Sequence, residues 1–173
     1  MTVDDVMDLN PCLEYPRSRV LELIGEGGTP LELFDLVRGE IPGDDVLWFG
    51  ISCLEPRDRR LFAAACAERV LPLFERKFPE DLRPREAIKS ARLFALGEIG
   101  HEELKNPWDA GVAVGDIWCY AKASMWSISM DSWNAAWDTA RAAWEISGGV
   151  WYNAGAAETN LQLEDLRRYL EAA

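Results

Sequence analysis

Residues 126–151 run Trp126-Ser127-Ile128-Ser129-Met130-Asp131-Ser132-Trp133-Asn134-Ala135-Ala136-Trp137-Asp138-Thr139-Ala140-Arg141-Ala142-Ala143-Trp144-Glu145-Ile146-Ser147-Gly148-Gly149-Val150-Trp151. At about 100° per residue, Trp126, Trp133, Trp137, Trp144 and Trp151 fall within about 20° of one line on a helix. Asp131, Asn134, Asp138, Arg141 and Glu145 gather on another face, with Ala136, Ala140 and Ala143 on the flank between them. The period is helical. The segment from Trp108 to Ile146 is too long for one helix of a small domain, so breaks are expected near Ser127–Asp131 and at Gly148-Gly149. Those breaks would detach Trp126 and Trp151 from the stripe. Tryptophans flanked by alanine are a contact between neighbouring helices, where alanine lets backbones approach and the indole fills the space. A heptad-like homodimer seam is the alternative reading of the same stripe.

The rest of the chain also has helical punctuation. Thr29-Pro30-Leu31-Glu32 combines a cap, a proline suited to the first helical position and a capping-box partner, and Gly39 is the expected stop. Thr2 with Asp5 can cap a short first helix. Pro16 to Ile24 offers Val20, Leu21, Leu23 and Ile24 for burial and ends at Gly25-Glu26-Gly27-Gly28. Asp44 to Ser52 opens with two acids that suit the helix dipole. A central helix starts at Pro56, with a kink or an end expected at Pro72. Pro84 to Leu96 forms another helix with Ile88, Ala91, Leu93, Phe94 and Ala95 inward, and His101 to Lys105 a single turn. Glu158 to Leu170 closes the chain with Leu163, Leu166 and Leu170 at helical spacing. No segment alternates as a strand would. The expected fold is all-α: a single-domain bundle of helical hairpins over residues 1–173, with about eight to ten helices. Within it, 1–55 form acidic N-terminal helices, 56–99 central helices and 106–173 Ala/Trp-rich helices.

The 173 residues have the size of one domain and bury roughly 70% of their unfolded surface. A hydrophobic content of 49% with eight Trp supports a core despite a net charge of −12. No apolar run is long enough to span a membrane and the first residues lack the pattern of a signal peptide, which points to the cytoplasm. The charge is uneven. Residues 1–55 hold 12 Asp/Glu against 3 Arg, a net −9, whereas residues 56–105 are net +2 and residues 106–173 net −5. Such a field disfavours direct binding to nucleic acid or membrane phosphates and steers basic partners in. The arginines and lysines of the middle third are expected to pair with the acidic N-terminal third or to solvate helix faces.

Little in the sequence points to catalysis. Cys12, Cys53, Cys66 and Cys119 lack zinc-site spacing and read as buried small apolar residues, so no metal or cofactor is expected. His101 has no Ser or Cys partner nearby and reads as a surface residue. Asp4-Asp5, Asp44-Asp45, Glu80-Asp81 and Glu102-Glu103 are adjacent pairs that diverge on a helix. The Gly25-Glu26-Gly27-Gly28 run lacks the Lys-Ser/Thr of a phosphate loop. The chain is not expected to be an enzyme.

The stretch Ala64-Ala65-Cys66-Ala67-Glu68-Arg69-Val70-Leu71-Pro72-Leu73-Phe74-Glu75-Arg76-Lys77-Phe78-Pro79, followed by Arg83-Pro84-Arg85-Glu86-Ala87-Ile88 and Arg92-Leu93-Phe94-Ala95-Leu96-Gly97-Glu98-Ile99, resembles a family of immunity proteins. These are small helical proteins of bacteria and phages that continue into an Ala- and Trp-rich segment and a last helix ending like Leu166-Arg167-Arg168-Tyr169-Leu170. The resemblance spans roughly residues 44–172, with its specific part at 64–99. It implies a protein that binds and neutralises another protein, and carries over no catalytic residues. Joined to the charge pattern, it predicts an acidic inhibitor of a basic toxin, nuclease or defence effector, with Asp4, Asp5, Asp8, Glu14, Glu40, Asp44 and Asp45 as contact residues. The alternatives are a phage-encoded antagonist of a host defence complex acting as a nucleic-acid mimic, and a helical scaffold that self-associates through its Trp face.

Overall fold

The computed structural model describes residues 1–100, 103 and 151–173. Trp126, Trp133, Trp137, Trp144, His101 and Cys119 lie outside the described residues, as do the breaks expected near 127–131 and at 148–149. Trp151 begins the last described helix, and its side chain is outside the description. Among the described residues there are seven helices and no strand: α1 (Val3–Asp8), α2 (Arg17–Ile24), α3 (Pro30–Val37), α4 (Gly43–Ser52), α5 (Pro56–Lys77), α6 (Arg83–Ala95) and α7 (Trp151–Ala172). The fold is all-α.

The helix ends follow local chemistry. At α3 the Glu32 amide donates to Thr29 Oγ1 at 3.2 Å and the Thr29 amide donates to Glu32 Oε2 at 2.9 Å, a complete capping box. Thr2 and Asp5 repeat the motif at α1. The stops fall where a left-handed residue is needed: Gly25, Gly39 and Gly97 have φ of 57°, 95° and 74°. Pro72 does not end α5, which continues to Lys77. Beyond the proline, Arg85 of α6 grips Glu75 with two bonds of 2.7 Å, Nε to Oε1 and Nη2 to Oε2, and so supports the last turn from outside. The closing helix begins at Trp151, earlier than the expected Glu158.

Phe34, Phe62 and Leu166 form the centre of the core, each fully buried, with Leu33, Val46 and Leu54 around them. Leu163, Leu166 and Leu170 are all buried, so the i, i+3, i+7 spacing read from the sequence is the inner face of α7. This helix packs on α3, α4 and α5. Gly50 permits the approach, since a Cβ there would lie 2.6 Å from Leu166 Cδ2 and 3.0 Å from the Phe34 ring. At the start of α4, a Cβ on Gly43 would come 3.2 Å from Thr159. Residue numbers rise together along the two helices, so α4 and α7 run in the same direction. Tyr169 adds an edge-to-face contact on Phe62, with centroids 6.1 Å apart.

On α2, Val20 and Ile24 are buried at i and i+4 and Leu23 is half-buried. Leu21, expected inside, is 55% exposed, because a two-turn helix presents a narrow inner stripe and Leu21 is one residue, about 100°, off it. On α6, Ile88 and Ala91 are buried, whereas Leu93, Phe94 and Ala95 are only partly so.

Candidate acidic docking face

The three arginines of the first 55 residues all form ion pairs: Arg17 with Asp4, Arg19 with Glu22, and Arg38 with Glu164 of α7 at 2.6 Å. Arg167 of α7 in turn holds Asp35 of α3 with two bonds of 2.8–2.9 Å. These contacts tie α1 to α2 and α3 to α7.

Three of the seven acids expected at a partner surface are committed to the fold. Asp4 takes the Arg17 guanidinium, whose hydrogen bond and charge hold its carboxyl below the usual range. Asp5 completes the α1 capping box, and the Thr2 amide donating to it at 2.6 Å lowers its pKa. Asp45, half-buried in the first turn of α4, accepts the Tyr15 hydroxyl at 2.5 Å. Burial, followed by this bond, raises the Tyr15 pKa, so the phenol stays protonated as a donor. The other four divide by exposure: Asp8, Glu14 and Glu40 are exposed and Asp44 is half-buried.

Tyr15 and Asp45 also line an apolar cleft between α1, α2, α3 and α4, with Val20, Ile24, Val37 and Trp48 in its walls. Its volume is about 40 Å³, and Asp45 is the one carboxylate in the wall. The chain reaches it through a turn at Asn10, a non-glycine residue with φ of 59°. Leu13, between the lining residues Pro11 and Tyr15, is 100% exposed. Periodicity does not disclose Tyr15 or the cleft, because they depend on a loop folding onto α4. The Asn10-Pro11 turn signal was the available clue.

The ion pairs described for the basic middle third lie within it or reach α7. Arg92 meets Glu68 at 2.5 Å and Arg85 meets Glu75, both across the α5–α6 hairpin, while Arg60 lies over the Phe94 ring at 4.3 Å. These pairs make α5 and α6 antiparallel. Arg83 bonds Asp81 beside it. Arg59 donates to the Leu54 and Ser52 carbonyls at 2.7 and 3.0 Å and satisfies the end of α4. Arg69 reaches α7, with Nε 2.9 Å from Glu158 and Nη1 2.6 Å from Asp165. Burial of Glu158 outweighs the pull of Arg69 and raises its carboxyl pKa. The pairing follows proximity on the central hairpin and α7, which net charge summed by thirds of the sequence does not register.

The cysteines do not share one environment. Cys66 is buried, Cys53 is half-buried with its thiol pushed up to about 11 mainly by burial, and Cys12 is exposed, against the expectation of burial. Cys12 sits in the loop joining α1 to α2, outside the helix faces that form the core. Among the described residues no group of three or more His, Cys, Asp or Glu is placed to hold a metal ion, and no helix is long and apolar enough to cross a membrane.

Residues 55–110 match the family model described as Imm-5 like putative immunity protein, which bears out the resemblance to immunity proteins. The match takes in all of 64–99 and covers about a third of the chain, a shorter span than the 44–172 read from the sequence. No curated protein and no solved structure matches the chain.

Proposed function

We propose that this protein is an immunity-type inhibitor that binds a basic protein effector, such as a toxin or nuclease, in the cytoplasm and occludes its working surface. The acidic face of α1–α4 leads the encounter. The family match over α5 and α6 supports an effector-binding role. The observation that carries the acidic part is the pairing of all three arginines in the first 55 residues while Asp8, Glu14 and Glu40 stay exposed in a segment of net −9. Exposed acids of this kind raise the association rate with a cationic surface and lose that effect as salt screens them. Asp4, Asp5 and Asp45 contribute field from positions held by the fold, so substituting them mixes stability with binding.

The test compares the tagged wild type with the combined variant Asp8→Asn, Glu14→Gln, Glu40→Gln in pull-downs from the source cell and its competitors. The captured protein is then expressed with and without each form. The expected result is one basic effector that halts growth alone, is retained at low salt, is released at high salt, and is neutralised by the wild type. The variant should associate more slowly by about tenfold. Capture and neutralisation by the variant equal to wild type at every salt concentration would remove the acidic face from the function.

A further inference from the structure

The cleft between α1, α2, α3 and α4 is open and apolar with Asp45 in its wall, and the described residues leave it unfilled. Val20, Ile24, Val37 and Trp48 supply its walls, and its volume of about 40 Å³ is about three times what one water needs. That is room for the end of a branched aliphatic side chain and far too little for a nucleotide or an organic cofactor. Leu13, fully exposed, lies in the same loop as the lining residues Pro11 and Tyr15. A leucine left wholly in water gains by being covered.

The charge around the opening specifies what covers it. Asp45 is in the wall, and its bond to Tyr15 engages one oxygen, Oδ2. Glu14, Glu40 and Asp44 are chain neighbours of the lining residues Tyr15, Ile41 and Asp45, and Glu14 and Glu40 are exposed. An apolar socket with one carboxylate in its wall, and with acids next in the chain to its lining residues, fits an apolar side chain with cations on either side of it. It disfavours a second copy of this chain, whose own N-terminal third carries net −9.

We infer that this cleft is the anchor site for the effector: it takes one aliphatic side chain, leucine-like in size, from a lysine- and arginine-rich segment, while Leu13 packs beside the anchor and the surrounding acids hold the flanking cations. This rests on the inhibitor reading above and assigns its contact to a place. A small buried anchor within a charged surround is how interfaces of this kind concentrate their binding energy.

Three short synthetic peptides test it on the intact protein: a Lys/Arg peptide with a central leucine, the same peptide with a central alanine, and a Ser/Gly peptide with the central leucine. Affinities are measured by titration, and the site is read from the ¹³C-methyl resonances of Val20, Ile24 and Val37. The basic leucine peptide should bind at least about tenfold tighter than the basic alanine peptide, from the added apolar burial, and should shift those methyls. In Leu13→Ser, whose fully exposed position leaves the fold intact, the leucine peptide should lose severalfold in affinity with the melting curve unchanged. Equal binding of the two basic peptides, or binding that leaves the three methyls unmoved, overturns the anchor site and leaves the acidic inhibitor standing. Equal binding of the neutral and basic leucine peptides overturns the role of the acids here and counts against the charge-led reading as well. Failure of all three peptides to bind overturns the anchor site, and the effector pull-down then judges the inhibitor separately.

Discussion

The four N-terminal helices and the α5–α6 hairpin spend their charge differently. In the hairpin, Arg85 and Arg92 face Glu75 and Glu68 across the two helices, and Arg60 covers Phe94. There charge joins helix to helix. In α1–α4 the arginines are too few to match the acids: Arg17 joins α1 to α2 and the Arg38–Glu164 and Arg167–Asp35 pairs join α3 to α7, beside apolar packing through Phe34, Gly50 and Leu166, and Asp8, Glu14 and Glu40 are left to solvent. The family match covers the hairpin and stops short of the acidic helices. The matched part is therefore the α5–α6 hairpin, and the outward acids and the open cleft lie outside it.

If apolar packing holds the N-terminal helices, Leu166→Ala should be the most damaging substitution. It removes a fully buried side chain shared by α4 and α7 and should cost about 2–5 kcal/mol in urea unfolding, with little dependence on salt. A loss below about 1 kcal/mol would show that the α4–α7 contact is not central.

Next in size is the charge cluster linking α5 to α7. Arg69→Met strands Glu158 and Asp165 and should cost about 2–3 kcal/mol, below the range for fully buried pairs because Arg69 is 26% exposed. Glu158→Gln should cost much less, because burial already opposes that carboxylate. The folded pKa of Glu158 lies above its ordinary value of 4.5, so the folded state binds the proton more tightly and stability falls as pH rises from 4.5 through the folded pKa. Glu158→Gln should flatten that slope, and an unchanged slope across the same window would assign it to other groups.

The smallest expected effect is at the exposed hairpin pair. Arg85→Met should lower the melting temperature slightly in low salt and not at all in high salt. A loss that persists in high salt would mean that the Arg85 stem packs on the α5–α6 hairpin and that the two regions differ less than their ion pairs indicate.

Much of the scaffold was legible before any coordinates. Thr29-Pro30-Leu31-Glu32 marks the start of α3 and Gly25, Gly39 and Gly97 follow helix ends, because caps and left-handed turns are satisfied within a few residues of chain. Leu163, Leu166 and Leu170 announced the inner face of α7 for the same local reason. Exposure on a short helix was harder, as Leu21 shows, since the width of its buried stripe is set by its neighbours.

The candidate site was legible only in part. Acid excess in the first 55 residues is a property of composition, but which acids remain outward is not: Asp4, Asp5 and Asp45 are taken up by Arg17, Thr2 and Tyr15, while Asp8, Glu14 and Glu40 are not buried. By itself the sequence determined an all-α chain, the helix ends set by caps and glycines, and its lopsided charge, all of which arise from propensity, capping and residue count. Only the tertiary structure decided that α7 lies along α4, that the central arginines look to the hairpin and α7, and that Tyr15 stands at an apolar cleft. Each of these joins residues far apart in the chain, and such contacts are chosen by the packing of the whole core, which no local pattern encodes.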